Sequence, residues 1–394
     1  MSERSGLLDK GAIVGIGATE FSKESGRSDL QLAIEACEAA IVDAGIEPRQ
    51  VDGFVTFTQD TNPEIEIAKN LGTGDLSFFS RVHHGGGAAC GTILQAVLAV
   101  NAGVADYVVC YRAFNERSGH RFGGGVQDRP PAATAESAHF AWYAPHGLLT
   151  PASWVAMFAT RYMHEYGATS EDFGRIAVAD RTHAARNPKA WFYEKPITLA
   201  EHQESRWIVE PLHLLDCCQE SDGGQAIVVT TPERAKDSPN GAVMVRAAAQ
   251  GSATGQEMMT SYYRDSISGL PEMGLIARQL WNTTGLTASD VQAAIIYDHF
   301  TPLALPQLEE FGFCKRGEAK DFIKDGNIEL GGRLPINTNG GQLGEAYIHG
   351  MNGIAEGARL IRGTSTNQPE NVEHVLVTAG TMVPTSALVL GKAA

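Results

Sequence analysis

Two stretches decide the fold: AIVDAGIEPRQVDGFVTF at 40–57 and LWNTTGLTASDVQAAIIYDHF at 280–300. Each reads as a helix end, a glycine stop, a short linker and an apolar strand. Gly45 matches Gly285, Ile46 matches Leu286 and Val51 matches Val291, all at an offset of 240 (285 − 45). The strand follows in register and sets Phe57 opposite Tyr297. A second echo comes after each. HHGGGAACGTILQAVLAVNAG at 83–103 is a glycine turn opening a helix, followed by the strand ADYVVCY. NGGQLGEAYIHGMNGIAEGARLIRG at 339–363 repeats that turn and helix, followed by the strand VEHVLVTAG. Each half also begins with a candidate strand, 12–17 in the first and 242–249 in the second. Two echoes in one order indicate duplication. Strands alternating with helices imply βαβ units and mainly parallel sheets.

Between about 114 and 220 the first half holds a stretch with no counterpart in the second. It contains the irregular RFGGGVQDRPPAATAES at 121–137 and candidate helices at 152–166 and 170–187. Such an insertion either covers a ligand site or serves dimerisation and stability. The chain thus divides into a first half (1–113 with 206–235), an inserted region (114–205) and a second half (236–394).

Composition bounds the function. With 394 residues, 43% hydrophobic and 20% charged, the chain can bury a large core. Its 43 glycines suit many strand–helix junctions rather than a helical bundle. A net charge of −15 argues against nucleic acid or an anionic membrane as partner. No apolar run approaches the roughly 18 residues of a membrane span, and the N-terminus has no signal-peptide core. The six cysteines form no CxxC pair, so no metal site is expected and a reducing cytoplasm is.

The two βαβ-rich halves with their insertion resemble the thiolase superfamily, in its sterol-carrier-protein-type, lipid-transfer-like branch. GIGATEF (15–21), DAGIEPRQVDG (43–53), RYMHEYGAT (161–169), NPKAW (187–191), SRWIVEPLHLLDCCQESDGGQAIVV (205–229) and the Gly340–Gly341 turn carry the likeness. It runs across essentially the whole chain. It implies an α/β thiolase fold, with the duplicated halves stacked as five αβαβα layers around a central helix pair.

The resemblance also shows what is missing. A thiolase places a cysteine at the N-terminus of the first half's buried helix, where the dipole lowers its pKa. Counting back from Gly103, that position falls on Gly86. Cys90, the first thiol after it, would shorten the helix by about one turn and reads as a buried helix residue. The family's Asn-Glu-Ala-Phe type turn appears as Tyr297-Asp298-His299-Phe300, and its Gly-His-Pro-x-Gly turn as Ala346-Tyr347-Ile348-His349-Gly350. The second active-site cysteine should lie within 377–380, which reads VTAG. Thiolysis is thereby excluded.

Amide N–H groups near Gly86 and Gly380 would still make an oxyanion hole for a thioester enolate. With two tyrosines and no nucleophile, the matching chemistry is retro-aldol cleavage of a β-hydroxyacyl-CoA. Tyr297 is assigned as base and Tyr347 as acid, with the reverse open, and either phenol can fill its role if hydrogen bonds or positive charge depress its pKa. His299 and His349 stand beside them as supporting candidates, with His83 and His84 near the first glycine turn. The sequence is very similar to the steroid side-chain-cleaving aldolases of actinobacteria. That implies a 17-hydroxy steroid with a short acyl-CoA side chain, giving a 17-ketosteroid and propionyl-CoA. It implies no cofactor beyond the CoA of the substrate, a homodimer, and an OB-fold and zinc-ribbon partner subunit completing a heterotetramer. The rival reading is a non-catalytic acyl-CoA or lipid carrier.

Overall fold

The computed structural model describes residues 7–83, 85–121, 141–257, 261–382 and 385–393. Its main sheet has nine strands: β1 (Gly11–Ala18), β2 (Gly53–Phe57), β3 (Phe78–Val82), β4 (Tyr107–Asn115), β5 (Asp222–Thr230), β6 (Val243–Gly251), β7 (Ala293–Ile295), β8 (His374–Ala379) and β9 (Thr385–Lys392). Their order is β3-β2-β4-β5-β1-β6-β9-β8-β7. Read outward from the β1–β6 seam, each half repeats one plan, β1-β5-β4-β2 against β6-β9-β8-β7, with β3 added to the first. The duplication is therefore visible in the topology. At the seam only three residue pairs join, from Gly11↔Val245 to Ile13↔Val243.

The sheet is mixed, not mainly parallel as the strand–helix alternation predicts. Parallel pairing joins β2 to β3 and β4, and β7 to β8. The remaining five strand pairs are antiparallel. The last strand of each half causes this: β9 turns straight back after β8, and β5 returns beside β4 after the insertion, so neither arrives by a helical crossover.

The principal helices are α1 (Asp29–Ala44), α2 (Glu64–Leu71), α3 (Ala89–Asn101), α4 (Pro151–Tyr166), α5 (Ser170–Arg186), α6 (Pro271–Thr284), α7 (Ala304–Glu310) and α8 (Met351–Arg362). Gly45 and Gly285 end α1 and α6 with φ of 71° and 70°, the left-handed stop the repeat requires. Both are followed by a short 3-10 turn before β2 and β7, whose first residues again lie 240 apart (293 − 53). Thr150 and Thr169 close capping boxes with Ser153 and Asp172, which set the starts of α4 and α5.

Strand alternation sorts the core into three clusters. Val109, Tyr111 and Ala113 of β4 pack outward against α1, whereas Val108 and Cys110 face inward against α3. In the second half Val375, Val377, Leu388 and Leu390 face inward to α3 and α8. Leu376, Ala387 and Val389 face outward to α4, α5, α6 and α7. Both faces of both halves are buried, with α3 and α8 between them. This is the five-layer αβαβα arrangement.

The candidate helices of the insertion form within a residue of their expected bounds. They belong to the first half in sequence but pack on the outer face of the second, where α5 lies against the short helix Gly341–Gly344. All of 121–137 except Arg121 lies outside the described residues. The second echo differs in detail: its helix is broken, with Gly341–Gly344 and α8 separated by the turn that carries Tyr347 and His349.

Candidate active site

Tyr297 follows the end of β7, and polar side chains fix its backbone. Its N–H donates to Thr378 Oγ1 at 2.9 Å, and Gln307 Nε2 donates to its carbonyl at 2.8 Å. Thr378 Oγ1 donates in turn to Gln307 Oε1 at 2.7 Å. Asn337 Oδ1 accepts the N–H of Ile296 at 2.8 Å. The ring then runs inward to the 3-10 turn Gly86–Ala88 that opens α3. A Cβ placed on Gly86 would lie 1.6 Å from the Tyr297 hydroxyl, and one on Gly350 would lie 3.0 Å from Cε2 of the ring. Only glycine at 86 leaves room for this phenol.

Tyr347 enters from the turn before α8, its N–H donating to Ser221 Oγ at 3.1 Å. The two phenolic oxygens stand 3.3 Å apart. Burial raises both pKa values above the ordinary tyrosine range. The condition of a depressed phenol is therefore not met. The site carries two neutral phenols, because desolvation of a phenolate outweighs the polar contacts that would stabilise it.

His299 lies against Tyr297, ring centroids 4.8 Å apart, and burial lowers its pKa to about 3, so it is neutral. The Cys218 N–H donates to its carbonyl at 2.8 Å. His349 has a left-handed backbone (φ 50°) and sits 4.9 Å from the Tyr347 ring, centroid to centroid. Its ring stacks on Phe57 and Phe114. Arg112 Nε, always a donor, gives its hydrogen to His349 Nδ1 at 3.1 Å, so a neutral His349 carries its proton on Nε2. Arg112 is held by a buried ion pair with Asp60 at 2.9 Å. Gly380 (φ 67°) ends β8, and the Gly86–Ala88 turn packs across the ends of β8 and β9. His83 is exposed after β3, and His84 lies outside the described residues.

The arrangement also includes residues that sequence reading passed over. Glu116 is buried to 2% exposure, and its Oε2 has no hydrogen-bond partner among the described residues. Burial, then the charge of Glu220, raise its carboxyl well above the usual range, while Arg112 and Lys23 oppose that shift. Lys23, its Nζ 3.0 Å from Gln219 Oε1, is lowered to about 8 by burial. A lone charged residue after a strand reads as loop surface, and only the fold turns these inward. Among the described residues no cluster of His, Cys, Asp and Glu could hold a metal ion.

This geometry has relatives. The Thiolase C-terminal domain-like family matches residues 258–392. A steroid side-chain-cleaving aldolase from Thermomonospora curvata is 70% identical over 380 residues, covering 96% of this chain and 97% of that protein. The chain belongs to the thiolase superfamily. Within its sterol-carrier-protein-like branch, a 17-hydroxy-3-oxo-4-pregnene-20-carboxyl-CoA lyase from Mycobacterium tuberculosis is 64% identical over 98% of this chain and 100% of its own length. The solved structure of an Ltp2-ChsH2(DUF35) aldolase superposes with a TM-score of 0.94 at 68% identity, covering 98% of each chain. Against a thiolase-type nucleophile at the start of α3, this superfamily member has Gly86, with the Tyr297 hydroxyl in the space a side chain would fill.

Proposed function

We infer that this chain is a carbon–carbon lyase that cleaves a β-hydroxyacyl-CoA by a retro-aldol reaction. Its substrate is a 17-hydroxy steroid bearing a short CoA-thioester side chain, and its products are a 17-ketosteroid and propionyl-CoA. The two relatives of 70% and 64% identity, an aldolase and a CoA lyase, support the reaction class. The single observation that carries the mechanism is the phenol pair, 3.3 Å apart, beside a glycine turn with no nucleophile.

The protons balance within that pair. Tyr297 accepts the proton of the β-hydroxyl as the O–H electrons become the ketone C=O. The Cα–Cβ bond breaks and its electrons pass into the thioester enolate. Tyr297 gives its own proton to Tyr347, which gives its own to Cα. No free phenolate is required, which suits two phenols that burial keeps neutral. The turns at Gly86 and Gly380 supply N–H donors to the enolate oxygen, with His349 Nε2–H beside the first of them. His299 packs on the Tyr297 ring and holds it in place. The relay needs no cofactor, since CoA arrives as part of the substrate.

The assembly we propose is a homodimer joined to an OB-fold and zinc-ribbon subunit. Two features support it: β3 is an open sheet edge with Phe79 59% exposed, and the 68%-identical structure bears a name joining two components. Free cysteines throughout the described chain suit a cytoplasmic site of action.

Incubation with a 17-hydroxy steroid acyl-CoA, with products identified by mass spectrometry, tests the reading. Tyr297→Phe and Tyr347→Phe each remove one hydroxyl and should cost about 10²–10⁴-fold in rate while the fold survives. A Tyr297→Phe protein that binds substrate and cleaves at wild-type rate defeats the relay. A wild-type protein that binds the acyl-CoA and never cleaves it would be a carrier.

A further inference from the structure

Tyr347 projects from a turn whose peptides are fixed one after another. The Glu345 N–H donates to the Gly341 carbonyl at 3.0 Å, and the Glu345 carbonyl accepts the Trp191 N–H at 3.0 Å. Asn352 Nδ2 donates to the Ala346 carbonyl at 3.0 Å, and Ser221 Oγ accepts the Tyr347 N–H at 3.1 Å. Trp191 belongs to the inserted region, so a segment of the first half borders a turn of the second. The approach is close: a Cβ on Gly344 would lie 2.6 Å from the Ala184 Cβ of α5.

The side chain of Glu345, 1% exposed, gathers the polar groups of this turn. Its Oε1 accepts from Nδ2 of Asn187, which ends α5, at 3.3 Å. Its Oε2 accepts from Asn352 Nδ2 at 2.9 Å and from Asn339 Nδ2. Arg359 Nη1 stands 3.8 Å from Oε1. None of the three amides can turn round, because each is held by a second partner. Asn187 Oδ1 accepts the Lys189 N–H at 3.1 Å, Asn339 Oδ1 accepts the Gly341 N–H at 3.1 Å, and Asn352 Nδ2 serves the Ala346 carbonyl. Three amide donors and a guanidinium therefore face one side chain that must only accept, which an ionised carboxylate does. Burial raises the Glu345 pKa, and the charge of Arg359 opposes that rise.

We propose that Glu345 is a positioning residue for Tyr347: its buried carboxylate ties together the asparagine amides of the inserted region, the glycine turn and α8, and so fixes the turn from which the phenol reaches Tyr297. The proposal rests on the reading of Tyr347 as part of the relay. It gives the insertion, through Asn187 and Trp191, a part in the reaction.

Glu345→Gln keeps the size of the side chain but replaces one accepting oxygen with an NH2 group that meets amide donors. In the full chain it should lower kcat by about tenfold or more at nearly constant KM. The deciding measurement is a double-mutant cycle with Tyr347→Phe. Because Glu345 acts through the phenol, Glu345→Gln should cost less than about threefold once that phenol is gone. Equal losses in the two backgrounds, or wild-type kcat in a folded Glu345→Gln chain, overturn the proposal. Should Glu345→Gln not fold, Asn187→Ala removes a single donor and goes through the same cycle. A loss that shrinks in the Tyr347→Phe background supports the proposal, and an equal loss or none overturns it. Failure of the two-phenol reading registers separately, as wild-type cleavage by Tyr347→Phe alone.

Discussion

At the residue scale, Gly86 and Tyr297 share one space. The glycine has no side chain and the phenol occupies the space that one would need. Changing either should therefore disturb the other. Gly86→Ala leaves every polar group of the site in place but sets a methyl carbon against the Tyr297 hydroxyl. The ring must shift, and its 3.3 Å contact with Tyr347 breaks. We expect cleavage to fall by about 10²-fold, as for loss of the phenol itself, with an overpacking cost of about 1–3 kcal/mol. Turnover and thermal melting of the variant check this together, and wild-type turnover would remove Gly86 from the site. Tyr297 and Tyr347 were legible in the sequence because both fall on turns the resemblance marks. Their elevated pKa values were not, because desolvation depends on what covers a group rather than on its neighbours in the chain.

At the element scale, α3 decides which chemistry the fold can run. A thiol at its start would gain acidity from the helix dipole and from free N–H groups. Cys90 instead lies within the first turn of α3, fully buried, with its Sγ 3.6 Å from the Val377 carbonyl oxygen. Burial pushes this thiol upward, which keeps it protonated and unreactive. Cys90→Ala should thus leave turnover within a few-fold of wild type and cost roughly 1 kcal/mol of stability through the cavity. A covalent acyl adduct trapped on Cys90 during turnover would reverse that assignment. The same scale shows where pattern reading stops. Helix bounds at 152–166 and 170–187 were close because caps and stops are local. The break between Gly341–Gly344 and α8 is not written in the local pattern, since NGGQLGEAYIHGMNG has no proline; only the resemblance placed a turn at 346–350.

At the scale of the whole molecule, burial of titratable groups links folding to pH. His183 is fully buried and its pKa is lowered to about 4 from the ordinary 6.5. Between those values the unfolded chain binds a proton there that the native chain refuses, so stability falls as pH falls. Asp180 and Glu116, raised by burial, hold protons in the native state and push the opposite way. The difference between wild type and His183→Gln isolates the histidine. Relative to wild type, the variant should gain about 1.4 kcal/mol per pH unit as pH drops from 6.5 to near 4. Denaturant titrations at several pH values measure it, and a constant difference would mean that His183 is charged in the native state. Assembly belongs to this scale too. Light scattering should give twice the chain mass for the protein alone, and a lone chain would reject pairing through β3.

The sequence by itself determined the duplication, the α/β class and the superfamily likeness, and it named Gly86, Tyr297 and Tyr347 as candidates. Each of these is written in local order: a repeat offset, a strand–turn–helix pattern, a residue type at a marked turn. The tertiary structure decided that the phenols touch, that they are neutral, and that Tyr297 lies where a side chain on Gly86 would. It also decided that the sheet is mixed and that the helices inserted in the first half pack on the outer face of the second. The physical reason is common to all of these. Strand direction, desolvation and helix packing depend on which distant segments exclude water from one another, and no spacing along the chain records that.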